Sequence, residues 1–269
     1  MKLSLTAPAV LIAQAYAASL NVVNQCNMPV FLFIQSSQGT IANNVNVAAG
    51  ATQNMGISAD WNGAINVGTG CDANGQNCGT GGPNYDGRTP FSRAEINFAA
   101  VPGSVTYDIS LIYGYNVGMA ISGNGCTEFA CTLPDGYPIP GPDGSCFSGC
   151  CATAQDCMNS GALPPGGGGC SQNKFAGPHS DFFFNNCPNA YAFPDNDGKS
   201  DGGTPANFVD TTCTNTDIVV TLCSGQTTHN QKRYLLFTQF QPGSTNVPFL
   251  KLSDCGVSLN NPILVVVWY

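Results

Sequence analysis

Glu95 and Asp108 are the residues of this chain whose type and spacing best suit chemistry on a ligand. They lie in residues 93–116, where two alternating runs flank a turn. In the first run Ile96 and Phe98 alternate with Glu95 and Asn97. In the second Tyr107, Ile109 and Leu111 alternate with Asp108 and Ser110. Strict apolar/polar alternation marks half-buried strands, and Val101-Pro102-Gly103-Ser104 supplies turn chemistry. A hairpin closing at Pro102-Gly103 sets Glu95 opposite Ser110 and Asn97 opposite Asp108. Glu95 and Asp108 then become diagonal neighbours on one polar face, roughly 7–8 Å apart by Cα. A one-residue slip would put an apolar face beside a polar one, so the pattern disfavours it. The face is either a solvated sheet surface or an acidic patch that binds or acts on a ligand. Glu95 and Glu128 are the only glutamates in the chain, so Glu95 is not drawn from a Glu-rich surface. Paired carboxyls are what a glycosidase needs, about 5–5.5 Å apart for retention and about 6.5–9.5 Å for inversion.

The cysteines are the second chemical resource. There are 14, and eight of them (126, 131, 146, 150, 151, 157, 170, 187) fall within 62 residues. Cys146, Cys150, Cys151 and Cys157 have a spacing that zinc could use, but an exported chain would oxidise them to disulfides. Export is read from the first residues: Met1-Lys2, an apolar run to Gln14, and the small-x-small site Ala15-Tyr16-Ala17. Residues 1–17 are therefore expected to be a signal peptide. His179 reads as an ordinary loop histidine. No acyl-transfer triad, phosphate loop or N-x-Ser/Thr sequon is visible, and no metal or other cofactor is expected.

The elements that must position these residues are short strands and turns. The chain has 269 residues, 9% of them charged, with 32 Gly and 18 Pro. Such a composition suits a β domain cross-linked by bridges. The formal net charge is −8, which gives no electrostatic reason to bind nucleic acid or anionic lipid. A neutral polymer or a basic partner fits better. Strands are expected at 20–26, 29–34, 64–68 and 217–223, besides the hairpin. Cys71 has Cys78 as its nearest partner across a Gly/Asn-rich loop. One or two helical turns are expected at 180–186. Residues 126–187 have many Gly, Pro and Cys and little periodicity, so that segment should depend on bridges rather than on a core of its own. The expected organisation is a signal peptide (1–17), a β core (18–125 and 188–223), an inserted disulfide-rich subdomain (126–187) and a tail (224–269). The apolar run that ends the tail is too short for a transmembrane helix.

Several motifs resemble the thaumatin-like (osmotin-like) family. Ala94-Glu95, Tyr107-Asp108-Ile109-Ser110-Leu111 and Gly114-Tyr115-Asn116-Val117 resemble its AEF…YDISLVDGFNVPM core. The opening LNVVNQCNMPVFLFI, the stretch from Phe182 to Phe193 and the closing Ile218 to Cys223 resemble its other conserved blocks, in the same order. The resemblance implies an all-β antiparallel sandwich carrying a cysteine-rich second domain, with an acidic cleft. It implies secretion to the extracellular space or cell wall, and binding of β-1,3-glucan. By motif position it implies the bridges Cys26–Cys223, Cys71–Cys78, Cys126–Cys213, Cys131–Cys187, Cys146–Cys150 and Cys151–Cys157, leaving Cys170 and Cys255. A Cys170–Cys255 bridge that pins the tail is one alternative for that pair.

The family cleft carries one Arg, one Glu and three Asp. Glu95 and Asp108 match by motif. The next Asp falls on Tyr113, and the last falls near Asp195 or Asp197. The Arg position falls within residues 64–68, where there is no Arg, so the basic member is expected to be missing. Tyr113 and Tyr115 are expected to offer aromatic faces to sugar rings. Three classes of function follow. The first is a monomeric wall protein that binds β-1,3-glucan or another neutral polysaccharide with little or no hydrolysis. The second is an endo-β-1,3-glucanase using Glu95 as acid with an Asp partner. The third is a defence protein that permeabilises membranes.

Overall fold

A computed structural model describes residues 18–160, 170, 177–194, 196, 209–214 and 217–228. The proposed signal peptide, Cys255 and the tail beyond residue 228 lie outside the described residues. The local alternation becomes strand wherever it was read. β1 (Ser19–Asn24) buries Leu20, Val22 and Asn24 and leaves the residues between them partly open. β2 (Val30–Gln38) follows. Two short strands not expected from sequence, β3 (Val45–Val47) and β4 (Thr52–Asn54), lie before β5 (Asn62–Thr69). The hairpin is β6 (Arg93–Asn97) and β7 (Val105–Ser110), with buried residues alternating in β6 and through most of β7. β8 (Met119–Gly123), β9 (Phe129–Cys131), β10 (Asp210–Cys213) and β11 (Asp217–Leu222) complete the described strands. Helices are short: α1 (Ala154–Ser160) and α2 (Ser180–Asn186).

The strands form two sheets, ordered β4-β1-β11-β8-β9 and β10-β7-β6-β5-β2-β3. Every pairing is antiparallel except β1 with β11. The buried faces of both sheets meet in one hydrophobic cluster, with Leu20, Val22 and Val220 from the first and Leu32, Ile96 and Ile109 from the second. This is the expected antiparallel-rich sandwich. Trp61 is fully buried just before β5, where its indole Nε1 donates to Ser36 Oγ at 2.8 Å.

Among the described residues six bridges fasten the fold: Cys26–Cys223, Cys71–Cys78, Cys126–Cys213, Cys131–Cys187, Cys150–Cys170 and Cys151–Cys157. Five match the pairs implied by resemblance. The pair Cys146–Cys150 is corrected, because Cys150 joins Cys170 and Cys146 is a free, buried thiol. Backbone pairing explains the exchange. Cys146 and Tyr115 exchange both of their backbone hydrogen bonds, and the thiol is turned inward within 3.7 Å of the Ile139 carbonyl. Cys170 is thereby used, which removes the Cys170–Cys255 alternative. Three of the four cysteines weighed as zinc ligands are in bridges.

Residues 126–187 are tied to the sandwich in two ways. β9 is a strand of the five-stranded sheet, and Phe183 and Cys187 belong to the main core. The segment also has a small cluster of its own, Ile139, Phe147, Cys151 and Cys157. Half of that cluster is one disulfide, so bridging and burial coincide there. No helix among the described residues is long and apolar enough to cross a membrane.

Candidate functional site

The hairpin register brings the two carboxylates closer than the turn alone implied. Glu95 pairs directly with Asp108, and Arg93 pairs with Ser110. The expected register is corrected by two residues. The turn at 101–104 forms as read: Ser104 N donates to Val101 O at 3.0 Å, and Gly103 supplies the positive φ of 76° that such a turn needs at its third position. However, Asn97 Oδ1 accepts the N–H groups of Ala99 and Ala100, and Phe98 N donates to Trp61 O. That side-chain turn absorbs two more residues on the β6 side than on the β7 side. A shift by two keeps every side chain on its face, so the polar face survives while its partners change.

The same row continues across five strands. Asp210 pairs with Asp108, Asp108 with Glu95, Glu95 with Ala64, and Ala64 with Gln35. Neighbouring strands are about 4.8 Å apart, so Asp210, Asp108 and Glu95 form an acidic line across β10, β7 and β6. Asp210 was missed by sequence reading. Its strand, Asp-Thr-Thr-Cys, has no apolar alternation, and only its β-branched threonines and Cys213 hinted at a strand.

The basic member of the site is present and comes from a different strand than expected. Arg93, two residues before Glu95 on the same face, donates through Nε to Glu95 Oε1 at 2.5 Å. Its Nη1 donates to Gln35 Oε1 at 2.5 Å and to Asn66 Oδ1 at 2.9 Å. The small side chain of Ala64, opposite Glu95, leaves space beside it on this face. The expectation that the cleft lacks an Arg is therefore overturned: residues 64–68 contribute Asn66 as an acceptor, and β6 contributes the guanidinium. The Arg93 and Glu95 side chains are 14% and 38% exposed, so the ion pair lies at the boundary between sheet and solvent.

Tyr113 stands beside this ion pair. The Arg93 guanidinium lies over its ring, 5.4 Å from the centroid. The ring stacks on Phe91 (5.4 Å, 20°) and meets Tyr85 at 5.4 Å. Burial pushes its phenol up, the Arg93 charge pulls it down, and Glu95 pushes it up again; the net direction is upward. Tyr113 thus helps to hold Arg93. Tyr115 is not an open aromatic face: it is 6% exposed, belongs to the core and meets Tyr137 edge-on. Burial pushes its phenol up to about 12, with Tyr137 adding to the shift. Its exposure as a binding residue is corrected, because its backbone pairing with Cys146 turns the ring inward. Asp195 and Asp197 lie outside the described residues. The chain just before them runs beside β7, with Tyr191 N donating to Ile109 O and Leu111 N donating to Tyr191 O, both at 2.8 Å.

A groove of about 480 Å³ opens over the row, lined by Gln35, Asn62, Arg93, Glu95, Asn97, Thr106 and Asp108 among others. Its walls combine two carboxylates and one guanidinium with uncharged amides and hydroxyls. That mixture offers both donors and acceptors, which suits a polyhydroxyl ligand. Among the described residues, no group of three His, Cys, Asp or Glu side chains is arranged to hold a metal ion.

The Thaumatin family profile matches residues 24–224. The chain is similar to Thaumatin-like protein 1 of Arabidopsis thaliana (26% identity, 77% of this chain and 86% of that one). It is also similar to a glucan endo-1,3-beta-glucosidase of Prunus avium (27% identity, 69% of this chain and 85% of that one). Among solved structures it is similar to the thaumatin-like xylanase inhibitor TLXI, with 22% identity and a TM-score of 0.36 over 42% of this chain and 82% of that one. With the profile covering every described strand after β1, including the hairpin that carries Glu95 and Asp108, the chain belongs to the thaumatin family.

Proposed function

We propose that this protein is secreted and binds β-1,3-glucan or a related neutral wall polysaccharide in the groove over β6 and β7, with little or no hydrolysis. The observation that carries the reading is the Arg93–Glu95 pair set among uncharged amides and hydroxyls. A fixed guanidinium beside a carboxylate presents a donor and an acceptor together, which matches sugar hydroxyls. The same pair disfavours catalysis. Glu95 Oε1 is held as the acceptor of a charge-assisted bond, whereas a general acid must direct a proton at the leaving oxygen. Glu95 and Asp108 also project from one sheet face, whereas glycosidase carboxyls flank the scissile bond. The relative of Prunus avium, named a glucan endo-1,3-beta-glucosidase, supports glucan as the ligand class.

That name also favours a second reading, a weak endo-β-1,3-glucanase. Directly opposed residues have Cβ atoms about 4.5–5.5 Å apart, within reach of the carboxyl spacing of a retaining enzyme. The deciding experiment is a pull-down on insoluble β-1,3-glucan with analysis of released sugars. Binding without soluble oligosaccharide is expected. Release of oligosaccharide that disappears in Glu95→Gln moves the assignment to the glucanase. Failure to bind refutes both.

A further inference from the structure

The family match ends at residue 224, yet the next residues are bonded into the sandwich. Cys223 takes a left-handed conformation, φ 56°, which a side-chain-bearing residue adopts only where its surroundings force it. Its bridge to Cys26 and its N–H bond to Gly118 O do so. The chain thereby leaves β11, crosses the end of β8 and reaches the outer side of β9, the last strand of the five-stranded sheet.

An edge strand presents unpaired N–H and C=O groups that template another strand. On β9 and the residue after it, those groups are taken by two threonines. Thr228 N donates to Ala130 O at 2.8 Å, and Thr228 Oγ1 accepts from Ala130 N at 2.9 Å. Thr227 Oγ1 accepts from Thr132 N and donates to Thr132 O, both at 2.9 Å. One backbone bond and two hydroxyls thus do what a sixth strand would do. The segment forms no regular strand, so it offers no new continuous edge in turn.

We propose that Thr227 and Thr228 form a side-chain lock on the open edge of the five-stranded sheet, which keeps β9 from pairing with β9 of a second copy of this chain. Two identical edges can pair antiparallel about a two-fold axis, so the same chain is the partner always at hand. The lock also secures the strand that carries Cys131, whose bridge to Cys187 ties the disulfide-rich segment to the sandwich. It does not depend on what the groove binds.

The test uses the full chain carrying Thr227→Val and Thr228→Val, which keeps the β-branched shape and removes both hydroxyls. Amide exchange at Ala130 and Thr132 is measured together with sedimentation over a concentration series. Exchange at both amides is expected to rise roughly five- to tenfold, and a concentration-dependent dimer is expected to form. The Thr227→Ser, Thr228→Ser variant should keep native protection and remain a monomer. Unchanged protection in the Val variant overturns the lock, and lost protection without self-association overturns its guarding role. A dimer in the Ser variant would attribute the effect to shape rather than to the hydroxyls, and would also overturn it.

Discussion

Replacing Arg93 by Ala should destabilise the fold by about 2–4 kcal/mol, and most of the loss should come from a residue outside the acidic row. Asn66 is fully buried, and its Oδ1 accepts from Arg93 Nη1 at 2.9 Å. Truncating Arg93 leaves that acceptor without its donor in the interior, which costs about 1–3 kcal/mol. The lost contact with the Tyr113 ring adds about 0.5–1 kcal/mol. The ion pair itself adds little. Glu95 is 38% exposed, so water takes over its carboxylate and the discounted value is under about 1 kcal/mol. Equilibrium urea unfolding with the bridges intact, followed by circular dichroism, measures the total. The Arg93→Ala, Glu95→Gln double-mutant cycle isolates the pair, and its coupling should fall at about 0.2–1 kcal/mol. Arg93→Lys keeps the charge but cannot span Glu95, Gln35 and Asn66 with one ammonium, so it should recover less than half of the loss. An Arg93→Ala variant within about 0.5 kcal/mol of the parent would refute this accounting.

Burial pushes the Cys146 thiol up to about 12 from its ordinary 9.0, and the Tyr107 and Tyr115 phenols up to about 12 from 10.0. These groups hold their protons more tightly when folded, so stability is intact below about pH 9 and is lost as pH rises towards 12. The loss is up to about 1.4 kcal/mol per pH unit for each group. Denaturant midpoints that stay level from pH 8 to pH 11.5 would contradict this. At pH 8 the Cys146 thiol should react with a thiol reagent only as fast as the chain unfolds, and immediate labelling located at Cys146 by peptide mapping would show that it is accessible. Ser36→Ala removes the acceptor of the buried Trp61 indole and should cost about 1–3 kcal/mol, read as a lowered urea midpoint; an unchanged midpoint would mean the indole finds another acceptor.

Period-two alternation is a local property, so the strands, the hairpin and the polar face carrying Glu95 and Asp108 were legible in the sequence. The order of the family blocks added the sandwich and five of the six disulfides found among the described residues, including Cys26–Cys223, which spans 197 positions. What lay beyond the sequence depends on contacts between distant segments. The turn 101–104 was read correctly, but the strand register depended on Asn97 folding back on Ala99 and Ala100, which no periodicity announces. Cys150 pairs with Cys170 rather than Cys146 because Tyr115, thirty-one positions before Cys146, holds that cysteine's backbone. Arg93 was in view beside Glu95, yet its role as the basic member of the cleft appeared only when Gln35 and Asn66 from two other strands met its guanidinium. Asp210 joined the acidic row because β10 pairs with β7 across a hundred residues of chain. A strand's side-chain alternation is set by its own backbone, whereas its neighbours, their register and the far ends of its hydrogen bonds are set by how loops without periodic signal bring other strands alongside.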